Sequence, residues 1–512
     1  MLTACPPALG ASLHDILTRL KSRPQTYPSI ELSYSSSEPT SAPVVLWLPV
    51  NGLRLRFDGA DQRLRLIEVL DFTKIQLTYK NIDVIKATSG TQPSDSASKG
   101  STGPTFRHVY NRLIGPAFRG EFIPPSPEGD AAKGLYILSY PGIAFSFPLL
   151  CSAFSPKADF VSLLSSSAAE PAVTMALFNG SSWADTRETL YTRPPPHPRS
   201  LALAGKGKEG GPDEVEHVEV HGHGRIEISR RFNPPFWITL GETTPQDLVA
   251  ELGPPDAIYG KNDRRLSIHK RRASDRISSD VQFGASPGKY DSFTDTDQSS
   301  APNTTDDSDD ETDALSTNGT RVSSTTECFY NYFRHGFDVF ISLPTSPSAP
   351  FPASNRSEGA TASMPLAGHL TATKLLLHGN IPGSYPFNRH RRSRWTIRLD
   401  HDAVESDLLT SEMPFKEISK HLQDVWKGTY GNKAEEDSLQ RGMVLNRGWG
   451  DSPGSSCELL GGWEDQLDGR RQGASGASTN GSQALGNTEL FGLPGLIFEV
   501  LKSDSISCLT VY

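Results

Sequence analysis

Gly52-Leu53-Arg54-Leu55-Arg56-Phe57 places an alternation of apolar and charged side chains behind a glycine, and the same pattern of apolar positions returns three more times. The other copies are Gly142-Ile143-Ala144-Phe145-Ser146-Phe147, Gly336-Phe337-Asp338-Val339-Phe340-Ile341 and Gly495-Leu496-Ile497-Phe498-Glu499-Val500. Apolar residues hold the same three offsets from the glycine each time. A period of two marks a half-buried strand, because successive side chains leave a strand on opposite faces.

Helix signals lie upstream of each copy. Leu13, Ile16, Leu17 and Leu20 follow helical spacing, as do Phe106, Val109, Tyr110 and Leu113. Leu248, Val249 and Leu252 form a stripe behind Thr244-Pro245, an N-cap followed by proline at the first helical position, and Phe415, Ile418, Leu422 and Val425 form the fourth. Another β-prone segment precedes each glycine, at Val44 to Val50, Leu135 to Tyr140, Cys328 to Phe333 and Glu489 to Phe491. A third strand is readable at Leu64 to Leu70, Lys374 to His378 and Ile506 to Val511.

The expected fold is α+β: about four repeated units of a helix and antiparallel strands, packed together because one such unit buries its apolar face poorly. The units are placed at 1–90, 103–180, 214–400 and 405–512, with a Pro- and Gly-rich linker at 191–211. Long inserts interrupt them. Residues 274–326 are rich in Ser, Thr and Asp, and 344–365 and 451–486 are also of low complexity; all three are expected to be disordered, having too few apolar groups to offset the entropy of ordering. Lengthening a surface loop adds little closure entropy, so such inserts between strands are tolerated.

Composition narrows the function classes. With 512 residues and a net charge of −9, the chain carries no general electrostatic footprint for nucleic acid. No apolar run approaches the 18 or so residues of a membrane span, and Met1 to Gly10 does not read as a signal peptide, so a cytoplasmic location is expected. The five cysteines are widely spaced without a Cys-x-x-Cys pair, which fits reduced thiols and no zinc cage.

Signals for catalysis or a cofactor are scarce. Gly205-Lys206-Gly207-Lys208-Glu209-Gly210 has dinucleotide-loop spacing but no strand before it and Gly211-Pro212 after it. Ala285 to Tyr290 lacks the hydroxyl residue a phosphate loop places after its lysine. No nucleophile elbow and no identifiable Cys and His pair are present, so neither an enzyme nor a cofactor is expected. The alternative is a metal-dependent enzyme built on His217, His221 and His223, which an extended strand projects to one face beside Glu219; the bland reading of these is a solvated strand end.

Two basic clusters point to anions. Arg389-His390-Arg391-Arg392-Ser393-Arg394-Trp395 follows Pro382 to Phe387, so Arg389, Arg391, Arg392 and Arg394, with Trp395 at the interface, are candidate ligands for anionic lipid head groups. Against this stands a plain solvated strand edge. His269-Lys270-Arg271-Arg272 borders the acidic insert, and Ser274 behind it is a candidate regulatory phosphorylation site.

Asp61 to Val69, Asn331 to Val339 and His378 to Asn388, in that order, resemble the phagosome assembly factor family. Further matching segments are Leu240-Gly241 with Asp247 to Pro254, Phe118-Arg119-Gly120, Gly142 to Phe147 and Phe491 to Tyr512. The resemblance implies a non-enzymatic autophagy adaptor that pairs with a WD40-propeller protein and is recruited to the phagophore assembly site through phosphoinositides, with the propeller carrying much of the lipid contact. It defines no catalytic residues. The chain departs from the family pattern in its long inserts and its arginine run. A scaffold role in Golgi or vesicle trafficking is the remaining alternative.

Overall fold

A computed structural model describes residues 8–85, 103–125, 132–193, 213–260, 327–344, 369–398, 408–426, 443–446 and 487–512. The inserts 274–326 and 451–486, with Ser274, lie outside the described residues, as do all but the first residue of 344–365 and most of the linker at 191–211. Met1–Tyr259 and Phe329–Tyr512 make up one compact unit.

The chain begins with α1 (Leu13–Lys21), β1 (Glu31–Ser33), β2 (Val44–Leu48), β3 (Leu53–Phe57) and β4 (Leu64–Val69), then a small hairpin of β5 (Thr78–Tyr79) and β6 (Ile82–Asp83). α2 (Phe106–His108) runs on as a π turn over Val109–Leu113 and leads to β7 (Glu121–Ile123), β8 (Lys133–Tyr140), β9 (Ile143–Leu150), α3 (Phe160–Leu164), β10 (Thr174–Phe178) and α4 (Trp183–Thr189). Next come β11 (Val215–His221), β12 (Arg225–Arg230), β13 (Phe236–Thr239), α5 (Pro245–Leu252), β14 (Ala257–Gly260), β15 (Cys328–Tyr332), β16 (Phe337–Ser342) and β17 (Thr371–His378). The C-terminal part holds β18 (Trp395–Arg398), β19 (Leu409–Thr410), α6 (Phe415–Trp426), β20 (Met443–Asn446), β21 (Asn487–Leu493), β22 (Leu496–Leu501) and β23 (Ile506–Val511).

These strands form two eight-stranded sheets of the same internal order, β1-β2-β3-β4-β10-β9-β8-β7 and β14-β15-β16-β17-β23-β22-β21-β20. Each is two runs of four strands whose last members pair antiparallel, β4 with β10 and β17 with β23, and a helix precedes each run. The α+β class is as expected. The four glycine-led cores are β3, β9, β16 and β22. Each leading glycine has a left-handed backbone, with φ of 65, 82, 88 and 75 at Gly52, Gly142, Gly336 and Gly495. That is why glycine stands there: Pro141-Gly142 and Pro494-Gly495 are two-residue turns that return the chain directly into the next strand.

Period-two burial follows the sequence pattern. β3 buries Leu53, Leu55 and Phe57 against α1, whose Leu13, Ile16, Leu17 and Leu20 line the same core with Phe106 and Val109. Ser12 caps α1 by accepting from the Asp15 amide, and Thr244 with Asp247 forms a capping box on α5. In the second large sheet Phe415 of α6 packs on Phe491 and Phe498 at ring distances of 4.5 and 5.3 Å. Val249 and Val425, read as parts of apolar stripes, are exposed instead. The segment 214–400 divides between sheets: β11, β12, β13 and β18, joined by β19 from beyond it, make a five-stranded sheet of order β13-β12-β11-β18-β19, while β14 to β17 join the second large one. β10 and the outer strands β1, β7, β14 and β20 had no alternating signal of their own. The outer four are short strands that pair on one side only and need little apolar surface, whereas β10 pairs with both β4 and β9.

Candidate functional site

The segments Asp61 to Val69, Asn331 to Val339 and His378 to Asn388 converge on a buried polar junction. The turn between β3 and β4 is built on Asp58, whose carboxylate accepts from the amides of Asp61 and Arg63 and pairs with Arg65. This holds Gln62 in a left-handed conformation, and Asn380 takes the same conformation in the segment after β17. The two buried residues then meet through two hydrogen bonds: Gln62 Nε2 donates to the Asn380 backbone carbonyl, and Asn380 Nδ2 donates to Gln62 Oε1.

Charged groups surround that pair. Arg63, Arg231 and Arg391 converge on the carboxylate of Glu214, at 2.7, 2.8 and 2.7 Å. Burial alone would raise the Glu214 pKa, but the charges of Arg391, Arg63 and Arg231 outweigh it and hold the group ionised. Arg391 itself is pulled down to about 10 by burial and by Arg63 beside it. Arg392 donates to the carbonyls of Ala60 and Gly379 at 2.7 and 2.8 Å, and Arg394 pairs with Asp61 and Glu412. Interior guanidinium groups persist because every one is matched by a carboxylate or carbonyl.

This environment differs from the exposed strip suggested by Arg389 to Trp395. Only Arg389 is exposed; Arg391 and Arg392 are buried, Arg394 is half-buried, and Trp395 lies in the core, 6.3 Å edge-on from Phe498. The reason is tertiary: the carboxylates that draw the arginines inward come from Glu214 and Asp61, far away along the chain, and from Glu412 beyond β18. In this fold the guanidinium groups of Arg391, Arg392 and Arg394 pair with carboxylates of the protein itself, and Arg389 remains at the surface.

Beside the junction, Asp338 accepts from His378 Nε2 at 2.9 Å and from His390 Nε2 at 2.8 Å, one on each carboxylate oxygen. The two imidazoles stack, with centroids 3.8 Å apart and planes at 16°. Burial resists a charge on His378, but Cys508 and Asp338 outweigh it and lift its pKa to about 10. Burial and the neighbouring His378 charge hold His390 down at about 4. One stacked ring therefore carries the extra proton and the other stays neutral, as mutual repulsion requires. Although the three residues come close enough to share a metal ion, rings stacked nearly parallel leave no point near both Nε2 atoms that lies in both ring planes. A carboxylate that fixes two imidazoles is the chemistry this arrangement supports.

The proposed metal trio separates. His217 hydrogen-bonds Thr396 Oγ1 at 3.0 Å, and burial, then Arg394, lowers its pKa. His223 lies beyond β11 in a left-handed turn. His221 keeps Glu219 as a neighbour and gains Glu227 from β12, a residue that no local spacing pointed to.

Comparison with known proteins gives one consistent answer. The family model described as Phagosome assembly factor 1 matches residues 4–283 and 366–512. A PHAF1 protein of Arabidopsis thaliana is 23% identical over 99% of this chain and 90% of its own length, and one of Drosophila melanogaster is 22% identical over 98% and 90%. A PHAF1 protein of Caenorhabditis elegans is 28% identical over 27% of this chain and 28% of its own length. No solved structure matches.

Proposed function

The chain belongs to the phagosome assembly factor 1 family, and from this we propose that it is a non-enzymatic autophagy factor acting with a WD40-propeller partner at the phagophore assembly site. The observation that carries the reading is the extent of the family match, which takes in the first large sheet, all of the second but β15 and β16, and the residues Gln62, Glu214, Asn380 and Arg391 of the polar junction. Phosphoinositide contact belongs to the assembled pair, chiefly through the propeller. One feature supports that division: Arg391, Arg392 and Arg394 of the arginine run are engaged by carboxylates within the fold.

Affinity purification of the tagged full-length chain from starved cells tests the proposal. A WD40-propeller protein in near-equal amount is the expected companion. Recovery of the chain alone after gentle lysis overturns the pairing. Vesicle flotation then separates the lipid roles: phosphoinositide vesicles are expected to retain the pair and to retain the isolated chain weakly. Equal retention of both would place the lipid site on this chain.

A further inference from the structure

We propose that Glu219, His221 and Glu227 bind a divalent transition-metal ion of the zinc class on the outer face of the five-stranded sheet. β11 turns Val218 and Val220 into the core and so sends Glu219 and His221 to the other face, while β12 buries Ile226 and Ile228 and sends Glu227 the same way. The register then places Glu219 directly opposite Glu227. Like charges facing each other across an antiparallel pair destabilise the sheet unless a cation lies between them.

The third group is placed for such a cation. His221 Nε2 lies 3.7 Å from a Glu219 oxygen and 3.8 Å from a Glu227 oxygen, separations too long for hydrogen bonds. That nitrogen is sealed from solvent and has no hydrogen-bond partner. Zinc bonds of about 2.0–2.2 Å at a tetrahedral angle set neighbouring ligand atoms roughly 3.4 Å apart, so His221 Nε2 needs to close on each carboxylate oxygen by only a few tenths of an ångström, and all three ligand atoms lie within 4.8 Å of one another. One imidazole and two carboxylates form a donor set that suits this class of ion, and the half-exposed face lets water complete the shell.

The surroundings fit the same reading. Arg398 pairs with the Glu219 oxygen nearest His221, as an outer group orienting a metal-bound carboxylate would. Arg225, opposite His221 in the register, lies over the Trp237 ring, 4.9 Å from its centroid. Among the described residues Glu227 pairs with no arginine or lysine, so its charge is the one a bound ion would neutralise. The competing account of the same geometry is an imidazolium bridging two carboxylates without metal.

The test titrates the chelator-treated full chain with zinc chloride, and separately with cobalt chloride, whose visible spectrum reports nitrogen and oxygen ligation. One equivalent is expected to bind, and His221→Asn and Glu227→Gln are each expected to lose affinity by at least about tenfold. Asp338→Asn is expected to bind as the unaltered chain does, which guards against uptake at the stacked histidines. Melting temperature supplies a second readout. Without metal, Glu227→Gln is expected to melt at or above the unaltered chain because it removes a like-charge contact; with zinc, only the unaltered chain is expected to gain. Equal zinc binding by all variants, no uptake at tens of micromolar free zinc, or loss confined to Asp338→Asn would overturn the proposal.

Discussion

Gln62 and Asn380 are 318 residues apart and hold each other: Gln62 Nε2 donates to the Asn380 carbonyl, and Asn380 Nδ2 donates to Gln62 Oε1, both at 2.8 Å. Each sits on a left-handed backbone, with φ of 50 and 46, so the pair joins two specialised turns from opposite ends of the protein. Removing the Gln62 side chain strands Asn380 Nδ2 in the interior, and removing the Asn380 side chain strands Gln62 Oε1. Gln62→Ala is expected to cost about 1–3 kcal/mol, and the double variant with Asn380→Gly less than the sum of the two single changes. Urea denaturation of the three variants measures the coupling; strict additivity would show that the pair is not a unit.

Glu214 is the carboxylate that Arg63, Arg231 and Arg391 share, and of the three Arg231 also pairs with Glu216, at 2.7 Å. Glu214→Gln leaves buried guanidinium charge without its counter-ion and is expected to destabilise by about 3–5 kcal/mol. The exposed pair of Lys133 and Glu170, at a similar 2.7 Å, is the control: Glu170→Gln is expected to cost about 0–1 kcal/mol. Distance is the same in both, so denaturation curves isolate the effect of burial.

Gly336 and Gly495 lead equivalent strands with similar backbones but different surroundings. A methyl group at Gly336 would lie 2.5 Å from the Arg391 carbonyl oxygen and 3.0 Å from the Ser393 nitrogen, whereas at Gly495 the nearest atom is the Tyr512 oxygen at 3.6 Å. Gly495→Ala is expected to cost about 1–2 kcal/mol from left-handed strain alone. Gly336→Ala is expected to cost clearly more, roughly 3 kcal/mol or above, because backbone must move. Similar losses at the two sites would contradict the close approach of the segment after β17.

The stacked histidines give stability two opposed dependences on pH. His378, lifted to about 10 from 6.5, holds its proton in the folded chain where the unfolded chain has lost it, so its contribution is full below about pH 6.5 and disappears as pH rises toward 10. His390, held near 4, refuses a proton that the unfolded chain takes up below 6.5, so stability falls as pH drops through that window. His335, also near 4 through burial and then Arg391, adds to the acid limb. Denaturation at pH 5, 6.5 and 9 is expected to show a maximum at the middle value. Asp338→Asn is expected to lower stability and to flatten the alkaline limb; an unchanged limb would mean that His378 is not held protonated by Asp338.

Much of the architecture was legible locally. Leu53, Leu55 and Phe57 declare a strand by alternation, Gly495 marks where another begins, and Phe415, Ile418 and Leu422 declare a helix face, because each depends on neighbours within a few residues. Charge was less readable. Arg389 and Arg391 look alike in the sequence, yet one is exposed and the other buried against Glu214. A run of arginines states that compensating carboxylates are needed if it is interior, but not whether the fold supplies them.

The same division holds for chemistry. His217, His221 and Glu219 share a face by strand parity alone, and the family segments are recognisable by their residues alone. Glu227 reached His221 only through the register of β11 with β12, and His378 reached His390 only because the chain folds back over β16 and β17. Local periodicity thus determined the elements and their buried faces, since those follow from backbone geometry over short spans. Which buried charges are paired, and which polar side chains meet, was decided by the tertiary structure, because Coulomb and hydrogen-bond partners are set by distance in space and not along the chain.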